Sequence, residues 1–284
     1  MAMVKVARTV WVVGLVMLMS CSSKNRDQTG LWRKIVRSGD QLYSEREDLR
    51  ALDQAIQWYL SGDREFPGEP RILGKLAVAY TARAYGHPGG GLDGFATARR
   101  YGLACLRTDP SFDGLLQASG GAVTRRAVET LEAERVDCMT WTSLAWARWM
   151  DERGVMGTSI DLPAVKALAR RAVEVDPDYD GGRPHAALGL ALALAPKPLK
   201  PNLKRARKSF NKAIELTPTR LTLLVDLAQY VSAPEGNSEE WARLLNQVAS
   251  STVQDGDPDI LENKRAIQRA EALLSAGLDA RWED

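Results

Sequence analysis

Histidine is scarce in this chain, whose 284 residues include only His87 and His185, nearly a hundred residues apart. Neither belongs to a His-x-x-x-His or Cys-x-x-Cys arrangement, and no acidic cluster has metal-ligand spacing, so the sequence indicates no metal site. It also lacks a serine elbow and any local signature that pairs a histidine with a thiol. We therefore expect a protein that is not an enzyme and that uses no cofactor.

Net charge is also nearly absent. The formal charge of +2 comes from Lys5 and Arg8, because residues 1–20 contain no acid, and the rest of the chain is close to neutral. A nucleic-acid surface needs a concentrated basic stripe, so we expect no nucleic-acid partner. We interpret one local basic run as the solvated side of a helix: Lys204, Arg205, Arg207 and Lys208.

The N-terminal apolar run, Val10 to Met19, is too short to cross a bilayer as a helix and follows two basic residues, which is typical of a signal peptide. It leads into Leu-Met-Ser-Cys, ending at Cys21, which resembles a bacterial lipobox. We predict a signal peptide over residues 1–20, a lipidated tether over 21–30 that begins at Cys21, and a folded domain over 31–284. An ordinary secretory signal with an incidental cysteine is the alternative.

Lipidation at Cys21 would anchor the protein to a membrane, since several acyl chains on one residue give stable attachment. Ser22 follows the cysteine, where aspartate would suggest retention in the inner membrane. We therefore expect the periplasmic face of the outer membrane. Two cysteines remain, Cys105 and Cys138, and a buried thiol is our first interpretation of Cys105, with a disulfide as the alternative in an oxidising compartment.

One spacing recurs four times and organises the chain. A small or apolar residue is followed by others four and seven residues later and by a proline five residues after that, as in Ala206, Phe210, Ala213 and Pro218. The other copies begin at Ala55, Ala98 and Val165. Residues at this spacing share one helical face, and proline ends the turn that it follows. With a composition rich in Ala, Leu, Arg and Glu, this predicts an all-α solenoid of stacked helical hairpins.

The repeat is interrupted twice. The loop HPGGGLD at 87–93 precedes a predicted helix from Gly94, with Asp93 as its N-cap, and its Gly-x-Gly-x-x-Gly spacing is not a dinucleotide site because no strand precedes it. Between Pro110 and Pro177 the spacing is about twice the usual period of roughly 34 residues. For this insertion we predict one extra amphipathic helix, Val123–Glu134, and then a helix over Asp137–Glu152.

The helices that follow include one over 182–195, whose apolar run predicts burial on all sides, and a last helix, Ile260–Ala276, that covers the end of the stack. Three tryptophans on the Asp137–Glu152 helix span an arc of about 140°. We interpret them first as core, and His185 likewise, with a ligand cleft as the alternative. The candidate cleft residues are Tyr85, His87, Trp141, Trp146, Trp149 and His185.

These features together resemble the T component of tripartite ATP-independent periplasmic (TRAP) transporters, the TatT lipoproteins. The resemblance rests on the lipobox at Cys21, the glycine-rich loop before ATARRYGLACL, Trp141, PHAALG at 184–189, the run at 195–216 and LENKRAIQRAEALL at 261–274. It implies degenerate tetratricopeptide repeats, a homotrimer with a central pore, a ligand cleft and a periplasmic solute-binding protein as partner. The implied ligand is a small organic acid or lipid-like molecule.

The function that we expect is therefore a lipid-anchored scaffold that docks a TRAP-type solute-binding protein and assists uptake of a small ligand. The alternative is a tetratricopeptide-like lipoprotein of the cell envelope that binds peptides or the proteins of an assembly machine. Neighbouring genes for a TRAP solute-binding protein and permease would favour the first, whereas their absence, together with a pulldown of assembly-machine proteins, would favour the second.

Overall fold

The computed structural model describes residues 30–86, 91–154, 158–194 and 201–278. Within these ranges the chain forms 13 α-helices and no β-strand, which confirms the predicted all-α class. The predictions for the signal peptide, the lipobox cysteine Cys21 and His87 fall outside the described residues.

The helices are α1 (residues 30–44), α2 (Leu49–Glu65), α3 (Pro70–Gly86), α4 (Gly91–Leu106), α5 (Pro110–Ala118), α6 (Arg125–Val128), α7 (Val136–Arg153), α8 (Thr158–Val175), α9 (Tyr179–Ala193), α10 (Leu203–Leu216), α11 (Leu221–Leu227), α12 (Ser238–Ala249) and α13 (Ile260–Ala276). A 3-10 turn, Ala133–Arg135, precedes α7, and a π-helical turn, Ala228–Ser232, extends α11.

The recurring residues lie on the second helix of successive hairpins, as predicted. The first member of each copy, at positions 55, 98, 165 and 206, is fully buried. Each repeat proline follows the end of its helix, and Pro110 also opens α5. The hairpins pack side by side, with α7 in contact with α3, α4, α8 and α9, which gives the stacked arrangement of a helical solenoid.

Side-chain caps start several of these helices. The Asp48 carboxylate accepts the Arg50 amide at the start of α2, and Asp109 accepts two amides at the start of α5. Asn202 begins α10 and Asn237 begins α12 in the same way. Each cap satisfies backbone N–H groups that have no partner inside the helix, which is why short polar residues mark these boundaries.

The predictions were wrong at three points around the interruptions. Helix α4 begins at Gly91, so Asp93 lies in its first turn and is not the N-cap. The predicted Val123–Glu134 helix is reduced to the single turn α6, because buried Leu131 leaves the helix and its carbonyl accepts Arg171 Nε at 2.8 Å. The unpredicted helix α5 forms where Asp109 caps a proline at the first helical position.

The prediction of a buried thiol at Cys105 was also wrong, because Cys105 and Cys138 form a disulfide bond. Their Cα atoms are 6.0 Å apart and both side chains are buried. The bond ties α4 to α7, so it joins a repeat helix to the inserted tryptophan-bearing helix. Sequence spacing could not show this pairing, because the two helices come together only through packing.

The last helix does more than cover the end of the stack. Helix α13 packs on α11 and α12 and also returns to α3 near the N-terminal end of the solenoid. Contacts at its start reinforce this closure: Lys264 pairs with Glu47, and Arg46 donates to the Pro258 carbonyl. The solenoid therefore curls until its two ends meet, and a partly open cavity lies between them.

Candidate functional site

The cavity lies between α1, α2, α3, α7, α9 and the segment that leads into α13, and its volume is about 430 Å³. Binding sites for small molecules have volumes of roughly 300–1,000 Å³ and mostly apolar linings. Five aromatic side chains line this one: Trp32, Tyr43, Tyr59, Trp141 and Tyr179. The cavity can therefore cover the apolar part of a small molecule.

A cluster of charges borders the cavity, and we call it the Arg183 cluster: Asp180, which is exposed, and Arg183, Arg220, Asp259 and Glu262, which are buried. Arg183 donates to Asp180 at 2.5 Å, to Asp259 at 2.6 Å and to Glu262 at 3.2 Å. Arg220 donates to the second oxygen of Asp259 at 2.8 Å. Two guanidinium groups thus bridge three carboxylates. Asp180 is on α9, Asp259 immediately precedes α13, and Glu262 is in the first turn of α13.

The protonation of this cluster follows from burial and pairing. Burial alone would raise the pKa of Asp259, but Arg183 and Arg220 lower it below its usual value. Burial raises the pKa of Glu262, and the charge of Asp259 adds to that rise against the effect of Arg183. Of these two carboxylates, Asp259 therefore stays ionised more readily, and it receives both guanidinium groups.

An unusual backbone places the cluster. Asp180, Gly181 and Gly182 have φ values of 46°, 60° and 79°, so three successive residues are left-handed where α9 begins. This turn aims the carbonyls of Asp180 and Gly181 at Arg220, which donates to them at 3.1 and 3.3 Å. Glycine accepts such values freely, whereas the aspartate is strained there and is held by its ion pairs.

Two guanidinium groups at the cavity have no carboxylate partner among the described residues. Arg71 lies over the ring of Trp32, 5.0 Å from its centroid, and Arg46 lies 4.6 Å from that of Tyr43. Arg46 donates only to the carbonyls of residues 43 and 258. Lys75, by contrast, pairs with Asp40 at 2.9 Å. Four cationic and four acidic side chains line the cavity, so the feature that suits an organic anion is these two guanidinium groups, which lie beside aromatic faces without a direct carboxylate contact.

Asp137 faces the same cavity and differs from the paired carboxylates. It accepts the Cys138 amide at 2.7 Å, and burial raises its pKa despite that hydrogen bond. Burial also raises the pKa of the neighbouring Tyr179 to about 12, and the charge of Asp137 adds to the rise. Asp137 and Tyr179 thus supply polar atoms that can position a ligand near the Trp141 ring.

His87 lies outside the described residues, and the structure does not bring the other five candidate cleft residues together. Trp141 lines the cavity, and His185 lies in a separate groove between α8 and α10. Trp146 and Trp149 share one guanidinium: the Arg99 side chain lies 4.4 Å from the centroid of the first ring and 4.6 Å from that of the second. The indole of Trp146 donates to Asp161 at 2.9 Å.

Tyr85 is buried elsewhere in the core, and its hydroxyl accepts Arg148 Nε at 2.9 Å. Arg148 forms a two-bond pair with Asp226, which also receives Arg269 at 3.0 Å. Burial alone would raise the pKa of Asp226, but the two arginines lower it below its usual value. Tyr85 is therefore committed to an internal network and does not face the cavity.

Sequence reasoning missed most of the cavity, because its charged residues come from positions far apart in the chain. Arg183 and Glu262 are 79 residues apart, and Arg220 and Asp259 are 39 apart. The one local signal was the Asp-Gly-Gly-Arg run at 180–183, which is unusual at the start of an apolar helix.

Among the described residues, no group of three or more His, Cys, Asp or Glu side chains is arranged to hold a metal ion. None of the helices in the described part of the chain is long and apolar enough to cross a membrane.

A curled stack of helical hairpins around a cavity of aromatic and charged side chains is the architecture of a binding or assembly protein. A family model described as the TRAP transporter T-component matches residues 95–279, and the chain belongs to this family. It is therefore a component of a TRAP transporter system. No curated protein matches the chain.

Proposed function

We propose that the protein is a lipid-anchored periplasmic scaffold that docks a TRAP-type solute-binding protein and holds a small organic anion in its cavity. Membership of the T-component family supports the transporter role over that of a general envelope lipoprotein that binds peptides. In this proposal the cavity takes up or passes on the ligand of the solute-binding protein, and no covalent chemistry is involved.

The observation that carries the proposal is the position of Arg71. Its guanidinium lies over Trp32 without a carboxylate partner in the described chain, and Trp141 lines the same cavity. An arginine can bind a carboxylate through two parallel hydrogen bonds, and the aromatic rings can cover an apolar tail. The ligand class that fits is a small carboxylic acid with an apolar portion.

The disulfide between Cys105 and Cys138 supports the proposed compartment. Disulfides persist in oxidising surroundings such as the bacterial periplasm and are rare in the cytosol. The proposed anchor is Cys21. We expect the full chain to incorporate radiolabelled palmitate in the native host and the Cys21→Ser variant to incorporate none. Equal labelling of the two proteins would refute the anchor.

The ligand proposal is tested with the full chain purified from membranes in detergent. We expect mass spectrometry after denaturation to detect a co-purifying carboxylic acid, and Arg71→Ala to reduce its amount about tenfold, as expected when a charge-assisted pair is lost. Arg64→Ala is the matched control, because Arg64 is exposed on α2 and does not line the cavity. Equal amounts of acid in both variants would exclude Arg71 as the recognition group.

Docking and self-association are tested separately. We propose a homotrimer, which the family resemblance implies, and a complex with the solute-binding protein of the same transporter. Sedimentation of the full chain in detergent, alone and with that protein, should give the mass of three chains and then a heavier complex. A monomer that does not change on addition of the solute-binding protein would contradict both.

A further inference from the structure

A second concave surface, the basic groove, lies between α8 and α10, with α9 as its floor, and shares no lining residue with the cavity. Both flanking helices pack on α9, and the space between them has a volume of about 850 Å³. The lining residues of α10 run from Lys204 to Glu215, a length of about 16 Å at the rise of an α-helix. The groove is thus long enough for roughly three helical turns.

The walls of the groove carry an excess of positive charge. Lys204, Arg205 and Lys208 on α10 face it, together with Arg170 on α8, and all four are exposed. Among the described residues none of these four forms an ion pair. The acids at the groove are already engaged, since Glu174 pairs with Arg171 and Glu215 with Lys212. The basic run is therefore one wall of a groove rather than an isolated solvated face.

The floor is apolar and partly uncovered. Leu188 of α9 and Val173 of α8 line it and are half-buried, whereas Leu192 of α9, which also lines it, is buried. His185, at the end of the same stripe, is half-buried, and burial lowers its pKa, with the charge of Lys212 adding to the effect. The prediction that this helix is buried holds for most of its residues, but the side that bears His185 and Leu188 faces the groove.

We propose that the basic groove binds an acidic amphipathic helix of a partner protein. The partner's apolar stripe would cover Leu188 and Val173, and its flanking carboxylates would meet the cations of α8 and α10. Two helices that both pack on a third leave a space into which a fourth helix fits at the usual interaxial distance of about 8–10 Å. Cations without partners on both walls favour acidic residues on both sides of the stripe.

The shape of the groove favours a helix over a membrane surface. A bilayer is nearly flat and would reach the exposed ends of the lysines but not the floor between α8 and α10. The apolar floor also argues against a nucleic-acid backbone, which presents phosphates rather than an apolar stripe. This inference concerns a different surface from the cavity, so it stands or falls independently of the ligand proposed there.

The test uses a fluorescent peptide of about 14 residues, with leucines at i, i+3 and i+7 and glutamates on both sides of that stripe. We expect it to bind the detergent-purified full chain and to gain helicity on binding. The Lys204→Glu/Arg205→Glu/Lys208→Glu variant should weaken binding about tenfold or more, because like charges then face each other. Binding should also weaken as salt is raised.

The matched control reverses the same number of charges away from the groove. Arg50, Arg64 and Arg126 are exposed and lie outside it, so the triple change of these arginines to glutamate should alter binding less than about twofold. A Leu188→Ser variant of the protein should bind the acidic peptide more weakly. A peptide with glutamine in place of glutamate should not bind the wild-type protein. Circular dichroism of each variant establishes that the chain is folded.

Three outcomes would overturn the inference. The first is equal loss of peptide binding in the groove variant and the control variant. The second is undiminished binding of a peptide whose helix is broken by proline. The third is groove-dependent binding of phosphatidylglycerol vesicles or of a single-stranded oligonucleotide in the absence of peptide binding, which would assign the basic groove to a lipid surface or to nucleic acid.

Discussion

The guanidinium of Arg183 lies 4.4 Å from the ring centroid of Trp141, so a single side chain joins the aromatic lining of the cavity to the charge cluster. One face of the tryptophan ring meets the cation, and the residue also contributes to the cavity wall. Arg183 is held in turn by its ion pairs with Asp180, Asp259 and Glu262. The position of a ligand that binds against Trp141 therefore depends on these ion pairs.

Replacing Arg183 by methionine should destabilise the fold strongly. The change leaves the buried carboxylates of Asp259 and Glu262 with less compensating charge, and breaking a buried pair costs about 3–5 kcal/mol. Urea denaturation followed by circular dichroism measures the loss. Lys75→Met is the matched control, because Lys75 pairs with Asp40 at an exposed site, where a pair contributes about 0–1 kcal/mol. Similar losses in both variants would contradict a stabilising role for the Arg183 cluster.

The Arg148–Asp226 pair predicts a dependence of stability on pH. Burial would raise the pKa of Asp226, but Arg148 and Arg269 hold it below the ordinary value of about 3.9. A depressed pKa in the folded state gives stability that is present above about pH 3.9 and is lost as pH falls through the lower folded-state value. Asp226→Asn should therefore be about 3–5 kcal/mol less stable at pH 7.

That difference between the wild type and Asp226→Asn should shrink as the pH is lowered from 4 to 3, because Asp226 of the unfolded wild-type chain then takes up a proton that the folded state, with its lower pKa, does not. Urea midpoints at pH 7, 5, 4 and 3 measure it. Asp113→Asn serves as a comparison at an exposed pair with Arg107, where only a small effect is expected at any pH. A constant difference for Asp226→Asn across this range would exclude the proposed linkage.

The disulfide should contribute substantially to stability. Cys105 and Cys138 are 33 residues apart, and closing a loop of that length restricts the unfolded chain by about 3–4 kcal/mol in the chain-entropy treatment. The Cys105→Ala/Cys138→Ala variant should show that loss in urea denaturation. Dithiothreitol should lower the Tm of the wild type and leave that of the double variant unchanged. The same shift in both proteins would show that reduction acts elsewhere.

The repeat could be predicted from sequence because its signal is local. Residues such as Ala206, Phe210 and Ala213 share a face through spacing alone, and the structure buries all three. The cavity could not be predicted in this way, because it forms when α13 returns to α3. Periodicity shows which face of a helix is apolar but not which distant helix covers it, so Arg183 and Glu262 gave no sign of their pairing.

The same limit applies to the tryptophans and to the basic run. Three indoles on one helix predicted one aromatic surface, yet Arg99 occupies the space between Trp146 and Trp149 while Trp141 faces the cavity. The run that begins at Lys204 matched a solvated helix, and only the packing of α8 and α10 on α9 turned it into a groove. In both cases a residue or helix distant in sequence decides the outcome.

The last prediction concerns stability at Gly102, which occupies a small-residue position of the repeat. An added Cβ at Gly102 would collide with the Thr142 hydroxyl and lie 3.2 Å from the Thr142 Cα, because α4 and α7 approach closely there. Gly102→Ala should therefore destabilise the fold by about 1–3 kcal/mol. Gly114 on α5 is exposed with no atom near its Cβ position, so Gly114→Ala should stabilise by about 0.5–1 kcal/mol through helix propensity. The same substitution thus has opposite expected signs at two helical glycines, and urea denaturation distinguishes them. If both variants were stabilised, α4 and α7 would not be packed as closely as the repeat requires.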